Sequence, residues 1–522
     1  MPKLRRGLSR LDLVVLGVAG AVGTGVLFSS AGMTAVAGPG VVLGWLIGGI
    51  FYLFVGLTYA ELSMAYPEAG GPSRYSVYTH GRAPNLINAF SDLIWYLFIP
   101  PIEALASVEG VNYFYPHLLT ASGSPNTLGA ILGVVFMLLF LPFNYYGIRA
   151  FARSTTSLGI VKLVLYLLVA IGFISLAHFH NFTGFGGFVP FGLSGVFAAI
   201  PLAMFAYGGI RVIPDYAEES NDKRSLGPSI IWTVIGQTII YLLFAVAFLA
   251  ALNWHTLALK VGQWASVSSI PGNPFLVIAG RANLGWLIVL TTVIAVLGPF
   301  VTGYIYQGAG SRVLFAMSRT GLVSARMREI SHEYAVPLWA LVVFTVVGAI
   351  VAYIAAPLPS IYALITDAVV AGYIGFAINP VAMLARRKQG GTPYLKGGTT
   401  IAWIAFAAAS LVVYWSGWPS VPYAAILLTL AVIGFGFAYH VYDGMANALW
   451  YAVYVVFLTV MTYIGGVGAK SLFNSDVGSL IVVVVALAVF LPWGVASRLP
   501  QLGSPIQGAS DSDEVAAAEG AE

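Results

Sequence analysis

The stretch Gly20-Ala-Val-Gly-Thr-Gly-Val-Leu-Phe28 lies in the middle of the first apolar segment that is long enough to span a membrane. A second cluster, Phe205-Ala-Tyr-Gly-Gly-Ile210, occupies the corresponding place in the sixth such segment. Glycine in a helix interior costs about 1 kcal/mol relative to alanine, and broken helix inside a bilayer is tolerated only where it is buried in protein or lines a cavity. Interrupted helices at corresponding positions of two halves mark the substrate site of secondary transporters. Close packing of helices through small residues is the alternative for either cluster alone, but the pairing favours a transporter.

The composition places the chain in a membrane. Of its 522 residues, 59% are hydrophobic and only 8% are charged, whereas a soluble domain carries about 25% charged residues. Apolar runs of bilayer-crossing length recur along nearly the whole chain, and they predict an all-α integral membrane protein with about 14 spans. The predicted spans cover residues 12–36, 40–65, 86–115, 127–146, 153–177, 194–217, 228–252, 284–310, 337–356, 359–384, 400–416, 421–440, 447–466 and 477–497.

The residue types exclude several other classes of protein. The chain contains no cysteine, so it has neither disulfides nor a thiol nucleophile. Its seven histidines do not stand at metal-ligand spacings, and it has no phosphate-binding Gly-x-x-x-x-Gly-Lys-Ser/Thr loop. Polar residues are too sparse for a continuous channel pore. We therefore predict no enzymatic activity, no metal and no cofactor, and we attribute the net charge of +4 to loop residues rather than to nucleic-acid binding.

Lysine and arginine are distributed unevenly between the two sides of the membrane. With the N-terminus in the cytoplasm, 19 of the 24 basic residues fall in cytoplasmic segments. Only Lys260, Arg281 and Lys470 fall in outer loops, and Lys162 and Arg211 lie within spans. Because positive residues concentrate in cytoplasmic loops, we predict a multi-pass protein of the cell (plasma) membrane with both termini cytoplasmic.

The spans group into two halves, each of which begins with a glycine-interrupted segment. Hydropathy and the paired glycine clusters predict two five-helix repeats followed by peripheral helices. The predicted regions are a basic cytoplasmic N-terminus (1–11), a first repeat (12–177), a second repeat (194–384), peripheral helices eleven to fourteen (400–497) and an acidic cytoplasmic tail (498–522) that is expected to be disordered. The longest outer loop, residues 253–283, either holds a short helix over the outer vestibule or is a plain connector.

Ionisable side chains inside spans are costly in a bilayer and are candidates for function. We place Glu103, Glu109, Lys162, Arg211 and Asp367 at membrane depth. Glu109 is near the outer end of its helix, where extension to the interface is the alternative to function. Structural ion pairing between helices is the alternative for Glu103, Lys162 and Arg211, and for Arg211 it stands beside a role in gating or substrate attraction. For Asp367 the alternative is a polar group near the membrane interface in the tenth predicted span.

The helix breaks also indicate the chemistry of the substrate. The second half of a broken helix begins with free N–H groups at the positive end of its dipole, which bind a carboxylate without a cationic side chain. The half-helix that ends at the break has free carbonyls, which suit an ammonium group or a cation. A site with both features predicts a zwitterionic α-amino acid but does not select its side chain.

Four sequence motifs occur in the order and spacing of one transporter family. They are Gly20-Ala-Val-Gly-Thr-Gly-Val-Leu-Phe28; Tyr59-Ala-Glu-Leu-Ser63 with Pro67-Glu-Ala-Gly-Gly71; Phe205-Ala-Tyr-Gly-Gly-Ile210 with Ala217-Glu-Glu219; and Ser311-Arg-Val-Leu-Phe-Ala-Met-Ser-Arg-Thr-Gly321 with Pro337. Over roughly residues 10–390 the chain resembles the amino acid–polyamine–organocation (APC) superfamily of transporters. The resemblance implies a leucine-transporter-like 5+5 inverted repeat, here with about four additional C-terminal helices, and an amino acid permease function.

The resemblance also implies which residues contact the substrate. The implied substrate-binding residues are Gly23, Thr24 and Gly25 for the carboxylate, and Phe205, Ala206, Tyr207 and Gly208 in the cluster whose main-chain groups hold the amino group. Phe205 matches the aromatic residue that closes over bound substrate in relatives.

A lysine in the fifth span is the implied coupling residue. Lys162 stands eighteen residues after Asn144, where proton-coupled relatives carry a helix-five lysine whose amine occupies the position of a sodium ion in sodium-coupled relatives. A buried lysine can load and release a proton. Lys162 is therefore the candidate for proton coupling, with a fixed tether to helices one and eight as the alternative.

Arg211 departs from the family pattern. Many family members have an acidic residue at this position, and an arginine cannot lose its proton in practice. Arg211 could pair with Glu103 as a fixed strut, or it could attract an anionic substrate side chain. A free Glu103 would instead favour a cationic substrate.

The sequence thus predicts a secondary active transporter that moves amino acids across the cytoplasmic membrane by alternating access. Proton-coupled symport is the leading mechanism, so protons and the lipid bilayer are its expected partners besides the amino acid. An exchanger of amino acids or their amine products and a non-transporting amino acid sensor on the same fold are the alternatives. The side-chain specificity and the oligomeric state do not follow from the sequence.

Overall fold

The computed structural model describes residues 3–121, 123–357 and 370–502. In these ranges the chain is helical, with two isolated bridge pairs and no β-strand. Twelve helices of the described residues are long and apolar enough to cross a membrane. The prediction of an all-α integral membrane protein is thereby confirmed.

The helices are numbered here in chain order. They are α1 (Arg10–Ala21), α2 (Thr24–Ala37), α3 (Val41–Ala65), α4 (Pro72–His80), α5 (Arg82–Asn112), α6 (Thr127–Tyr145), α7 (Ile148–Ile174), α8 (Gly192–Ala206), α9 (Gly209–Asp215), α10 (Leu226–Ala251), α11 (Pro274–Ala282), α12 (Gly285–Arg319), α13 (Leu338–Ala355), α14 (Ile378–Lys388), α15 (Gly398–Ser416), α16 (Ser420–Ala438), α17 (Met445–Ile464), α18 (Ser475–Val485) and α19 (Leu491–Ala496). Asp367, most of the predicted tail and part of the tenth predicted span lie outside the described residues.

The number of spans depends on how the first three helices are divided. The stretch Thr24–Ala65 has 42 residues, and as one helix it would be about 63 Å long, twice the thickness of a bilayer core. A short 3₁₀ turn at Gly38–Gly40 divides it into α2 and α3. The first predicted span therefore corresponds to α1 and α2 together, and the second to α3. The count of fourteen and the two five-helix repeats stay predictions.

Both glycine clusters interrupt their helices, as predicted. The helix α1 begins at a capping box between Ser9 and Asp12 and ends at Ala21. At Gly23 the backbone leaves the helical region, with φ −118° and ψ −131°, before α2 begins. In the second cluster α8 ends at Ala206 and α9 begins three residues later.

The long helices α5 and α12 pack along each other and form one side of the molecule's centre. The short helix α1 packs against α7, α9, α10 and α12, while α2 packs on α8. Gly110 permits the close approach of α5 to α12, because a Cβ atom there would lie 2.8 Å from the backbone of Ala295. The two interrupted helix pairs therefore lie side by side between α5 and α12 on one side and α10 on the other.

The longest predicted outer loop contains a short helix, in agreement with one of its two predicted forms. After α10 the chain makes a 3₁₀ turn at Trp264–Ser269 that packs against α2, and then enters α11. Asn273 caps the first turn of α11 with its side-chain oxygen. Phe275 inserts among aromatic rings of α7 and α10. This packing holds α11 against the helices that surround the first break.

Polar contacts at the predicted cytoplasmic face tie the segment after α9 to α12 and to the N-terminal residues. Glu219 forms an ion pair with Arg312, in which its oxygens lie 2.5 and 2.8 Å from guanidinium nitrogens. Glu218 pairs with Arg319 at 2.6 and 3.0 Å. The N–H of Gly7 donates to the carbonyl of Glu219 at 2.9 Å. Two of the motifs identified in the sequence thus meet in one ionic cluster.

The two adjacent carboxyl groups of this cluster respond differently to their surroundings. Burial raises the pKa of Glu219 above its usual value, and the charge of Arg312 offsets only part of that effect. Burial also raises the pKa of Glu218, but the charge and hydrogen bonds of Arg319 outweigh it, so the pKa of Glu218 is lowered. The Glu218–Arg319 pair therefore stabilises the fold at neutral pH and loses that contribution as the pH falls through the pKa of Glu218.

The buried side chain of His80 connects the end of α4 to the C-terminal helices. Its Nε2 lies 2.9 Å from the carbonyl oxygen of Gly494, and its Nδ1 lies 2.8 Å from the hydroxyl of Thr79. Burial lowers the pKa of His80 from 6.5 to about 4; the carbonyl of Gly494 opposes this shift and the charge of Arg498 adds to it. In the folded protein His80 is therefore neutral at pH 5, whereas in an unfolded chain it is protonated.

We expect His80 to make the protein less stable in mild acid. Because the unfolded chain binds the proton first, stability falls as the pH drops from the unfolded pKa towards the folded one. Between pH 7 and pH 5 the expected loss from this residue is about 2 kcal/mol. Thermal unfolding of the detergent-purified protein at both pH values measures it, with His80→Gln as the comparison. An equally large acid-induced drop in the variant would contradict the assignment.

Candidate functional site

The structure brings the two helix breaks into contact. A Cβ atom at Gly25 would lie 3.0 Å from the Cβ of Ala206 and 3.3 Å from the ring of Phe205. On the other side of the second break, a side chain at Gly209 would clash with the carbonyl oxygen of Gly17. The clusters that are far apart in sequence therefore form one unit, and glycine is required where their backbones meet.

The first turn of α2 holds a carboxylate that belongs to the protein itself. Glu103 of α5, which is 2% exposed, accepts a hydrogen bond from the N–H of Thr24 through Oε2 at 3.1 Å. The hydroxyl of Thr24 donates to the same oxygen. This is the helix N-terminus that was predicted to bind the carboxylate of the substrate. The free N–H groups of a first helical turn and its dipole favour any anion in that place.

Lys162 of α7 lies on the other side of the same break. Its Nζ donates to the carbonyl of Ala19 at 2.7 Å, to the carbonyl of Gly298 at 2.7 Å and to the hydroxyl of Thr302 at 2.8 Å. Ala19 belongs to the last turn of α1, whose carbonyls lack helical partners because the helix stops. The amine thus connects α1 to α12, which is the helix in the eighth predicted span. This contact agrees with the alternative prediction that Lys162 is a fixed tether between helices one and eight. It also places a titratable group at the break, as proton coupling requires.

Two further residues complete this arrangement. The hydroxyl of Thr302 donates to Ala19 at 3.2 Å, and that of Tyr166 donates to the carbonyl of Gly23 at 3.2 Å. A Cβ atom at Gly23 would lie 2.9 and 3.0 Å from the carboxylate oxygens of Glu103 and 2.5 Å from the Thr302 hydroxyl. We call Glu103, Lys162, Tyr166 and Thr302 the break cluster. All four are at most 2% exposed.

Carbonyl groups at the second break have partners inside the protein. The carbonyl of Ala206 accepts from the hydroxyl of Tyr241 at 2.5 Å, and that of Phe205 accepts from the N–H of Gly208 at 3.2 Å. The side chain of Tyr207 extends away from the first break, and its hydroxyl donates to the carbonyl of Trp45 at 2.9 Å. The Phe205 ring, by contrast, lies against the first break. The predicted amino-group cluster is therefore brought to the site except for the Tyr207 side chain.

The suggested pairing of Arg211 with Glu103 is wrong. Arg211 forms its ion pair with Asp92 of α5, and its Nη2 donates to the carbonyl of Gly372 at 2.5 Å. Its guanidinium carbon lies 4.5 Å from the ring centre of Trp95 and 4.1 Å from that of Phe376. Glu103 instead binds the N-terminus of α2, where the backbone N–H groups form the positive end of the helix dipole. Arg211 is completely buried.

Several residues of the site were missed by the sequence reasoning. Asp92 lies in the third predicted span, so its position inside a span was a usable signal. Asp215 at the end of α9 accepts a hydrogen bond from Tyr96, and it is 1% exposed. Tyr166 and Thr302 carry no charge, and nothing in their sequence context distinguishes them from other polar residues of membrane helices.

Glu109 is buried near the end of α5 that is predicted to face outwards, and it does not extend to the surface. It is 8% exposed, and its Oε2 has no hydrogen-bond partner. It lies six residues beyond Glu103 and belongs to a separate pocket that is lined by the loop before α11. Glu109 is therefore not part of the break cluster.

Known proteins are similar in sequence to this chain along most of its length. The profile of the family described as amino acid permease matches residues 8–410. The chain belongs to the amino acid permease family. This permease is 30% identical to the aspartate-proton symporter of Bacillus subtilis over 518 residues, which cover 95% of this chain and 97% of that protein. It is 26% identical to the glutamate/serine transporter AimA of the same organism, over 95% of each chain. A branched-chain amino acid permease, BcaP, is 26% identical over 75% of this chain and 83% of its own length.

Membership of this family, which lies in the APC superfamily, confirms the resemblance seen in the sequence motifs. The relatives are transporters and permeases rather than enzymes, so amino acid transport across a membrane is the shared activity. Their names cover acidic, hydroxyl and branched-chain amino acids. Family membership alone therefore does not select the substrate of this permease.

Proposed function

We propose that the protein is a proton-coupled amino acid symporter that works by alternating access. The observation that carries the proposal is the break cluster, in which Glu103 and Lys162 contact the two sides of one helix break. Both groups can exchange a proton, and both bind backbone atoms that a moving α1–α2 pair would displace. The first relative named above is an aspartate-proton symporter, which agrees with this mechanism.

The carboxylate of Glu103 occupies the place that a substrate carboxylate needs. Two carboxylates at one buried helix terminus repel each other strongly, because the low dielectric of the interior weakens screening. Among the described residues, the titratable groups in electrostatic range of Glu103 include Lys162 and Tyr166 of α7 and Tyr306 of α12. Only one of them, Lys162, is a cation when protonated. Protonation of Glu103 therefore releases Thr24 for the substrate, so that binding a substrate carboxylate requires a proton.

Lys162 then links the proton to the movement of helices. While its amine is charged, it holds Ala19 of α1 to Gly298 and Thr302 of α12 through three hydrogen bonds. A neutral amine has fewer N–H donors and no charge, so it cannot maintain all three at full strength. Loss of the proton thus loosens α1 from α12, which is the movement that alternating access requires.

We further propose that acidic amino acids are substrates. Two of the relatives are named for aspartate and for glutamate and serine. In this chain Arg211 follows the second break by two residues, is completely buried, and its Nε has no hydrogen-bond partner while its terminal nitrogens are engaged. A guanidinium with a spare donor beside the site suits a second carboxylate.

We expect Arg211→Gln to impair the uptake of aspartate much more than that of serine. Losing a charge-assisted contact of about 2 kcal/mol corresponds to about a 30-fold change in KM for the acidic substrate. Because the variant leaves Asp92 unpaired in the interior, the double variant Arg211→Gln/Asp92→Asn is the matched control without a buried charge. Equal losses for aspartate and serine in both variants would show that Arg211 acts as a strut only.

The proposed function is tested by uptake into liposomes that contain the purified protein. A panel of labelled amino acids is offered with an inward proton gradient, with an inward sodium gradient, or with no gradient and preloaded substrate. We expect accumulation only with the proton gradient, and most strongly for aspartate or glutamate. Uptake only into preloaded liposomes would establish an exchanger instead, and no uptake under any condition would indicate a sensor.

A further inference from the structure

A pocket of about 490 Å³ lies at the outer end of α5, away from the break cluster. It is formed by the end of α5, the loop before α11 and α11 itself. We call it the outer pocket, and its polar lining includes Glu109, Asn112, Asn273 and Arg281. The residues predicted to bind substrate lie elsewhere.

The carboxylate of Glu109 is the unusual feature of the outer pocket. The residue is 8% exposed, Oε2 makes no hydrogen bond, and no described residue forms an ion pair with it. Buried carboxylates are normally paired or hydrogen-bonded. Gly272 beside it has φ +63°, a backbone conformation that favours glycine, and a Cβ atom there would lie in ordinary van der Waals contact with Oε2 at 4.0 Å.

Arg281 supplies the opposite charge to the same pocket. It lies in the last turn of α11, is exposed, and forms no ion pair with any described residue. Its guanidinium carries a positive charge and several N–H donors. A simple cation in the pocket would be repelled by Arg281, and a simple anion would leave Glu109 without a partner. A ligand that carries both charges satisfies both groups.

We propose that the outer pocket is a second amino acid site, in which Glu109 binds the α-ammonium group and Arg281 binds the α-carboxylate. The inference rests on the proposed transport function, since it supplies an external amino acid to be captured. Charge-assisted hydrogen bonds to the ammonium and carboxylate groups of the ligand give a site that recognises the zwitterion and does not select the side chain. A bound amino acid would bridge α5 and α11, and α11 packs through Phe275 on the helices around the first break. The site thus captures substrate on the outer side before it reaches the break.

Equilibrium binding of radiolabelled L-aspartate and L-serine to the purified full-length protein tests the proposal. We expect two sites per chain in the wild type and one site in Glu109→Gln. Arg281→Gln, at an exposed position in the last turn of α11, provides a second variant with the same expected result. Lys260→Gln changes another exposed basic residue of the same outer loop and should keep both sites.

A Gly23→Ala variant separates the two binding sites. It blocks the break, so the binding that persists in this variant must come from the outer pocket and must vanish in Gly23→Ala/Arg281→Gln. In liposomes, Arg281→Gln should slow uptake about tenfold at low substrate concentration and leave the rate at saturation unchanged. A single site in the wild type, or two sites in both pocket variants, would overturn the proposal. Failure of proton-driven uptake with two intact sites would instead count against the symport mechanism alone.

Discussion

Lys162→Ala is expected to abolish amino acid accumulation driven by a proton gradient, down to the level of empty liposomes. The substitution removes three hydrogen bonds that join α1 to α12 and the only cation in the break cluster. The groups that bind substrate directly are untouched, so binding of labelled substrate to the purified variant should stay measurable. Parallel assays of gradient-driven uptake and equilibrium binding measure both quantities.

Two variants separate proton exchange from simple tethering. Thr302→Val removes one of the three hydrogen bonds and keeps the charge, so it should reduce the rate and retain coupling. Lys162→Arg keeps the charge and can tether, but an arginine does not release its proton, so it should bind substrate without accumulating it. Full gradient-driven uptake by Lys162→Ala would remove Lys162 from the mechanism. Full uptake by Lys162→Arg would reduce its role to a tether.

Gly23→Ala is expected to reduce transport about a hundredfold, with substrate binding at the break lost as well. The added methyl group would lie 2.9 Å from a carboxylate oxygen of Glu103 and 2.5 Å from the hydroxyl of Thr302. Such overpacking costs about 1–3 kcal/mol. A cost of about 2.7 kcal/mol in the activation free energy corresponds to a hundredfold loss in rate. The groups that would have to move are those that hold the break in place. Initial uptake rates at matched protein levels provide the measurement.

The control for this substitution is Gly434→Ala in α16. That glycine also lies inside a membrane helix, but no atom stands within 4 Å of its Cβ position. The variant should transport normally and gain slightly in stability, since alanine is the better helix former. If Gly23→Ala transports as well as Gly434→Ala, the break does not have the tight geometry described here.

The sequence was sufficient for features that depend on composition and local pattern. The lengths of the apolar runs predicted an all-α integral membrane protein. The glycine clusters predicted both helix breaks at the positions where they are observed. Lys162 was identified because an ionisable residue inside a span is rare and costly. Each of these signals lies within a window of a few residues, where hydrophobicity and glycine content act directly on the backbone.

Partners that are distant in sequence could not be predicted in the same way. Glu103 meets Thr24 across 79 residues, and Arg211 meets Asp92 across 119. A single sequence shows which charges are inside the membrane but not which face of a helix turns towards which neighbour. Arg211 was therefore linked to the wrong acid, and the shared site of Glu103 and the substrate carboxylate became visible only with the helices in place.

The most direct test of the central claim is a measurement of proton movement during transport itself. Liposomes containing the purified protein and a pH-sensitive dye are given aspartate outside, with no initial proton or sodium gradient. Symport predicts that the lumen acidifies as aspartate enters, in a fixed ratio to its uptake, and that Lys162→Ala abolishes the signal. Uptake of aspartate at the wild-type rate without any change of internal pH would contradict proton-coupled transport.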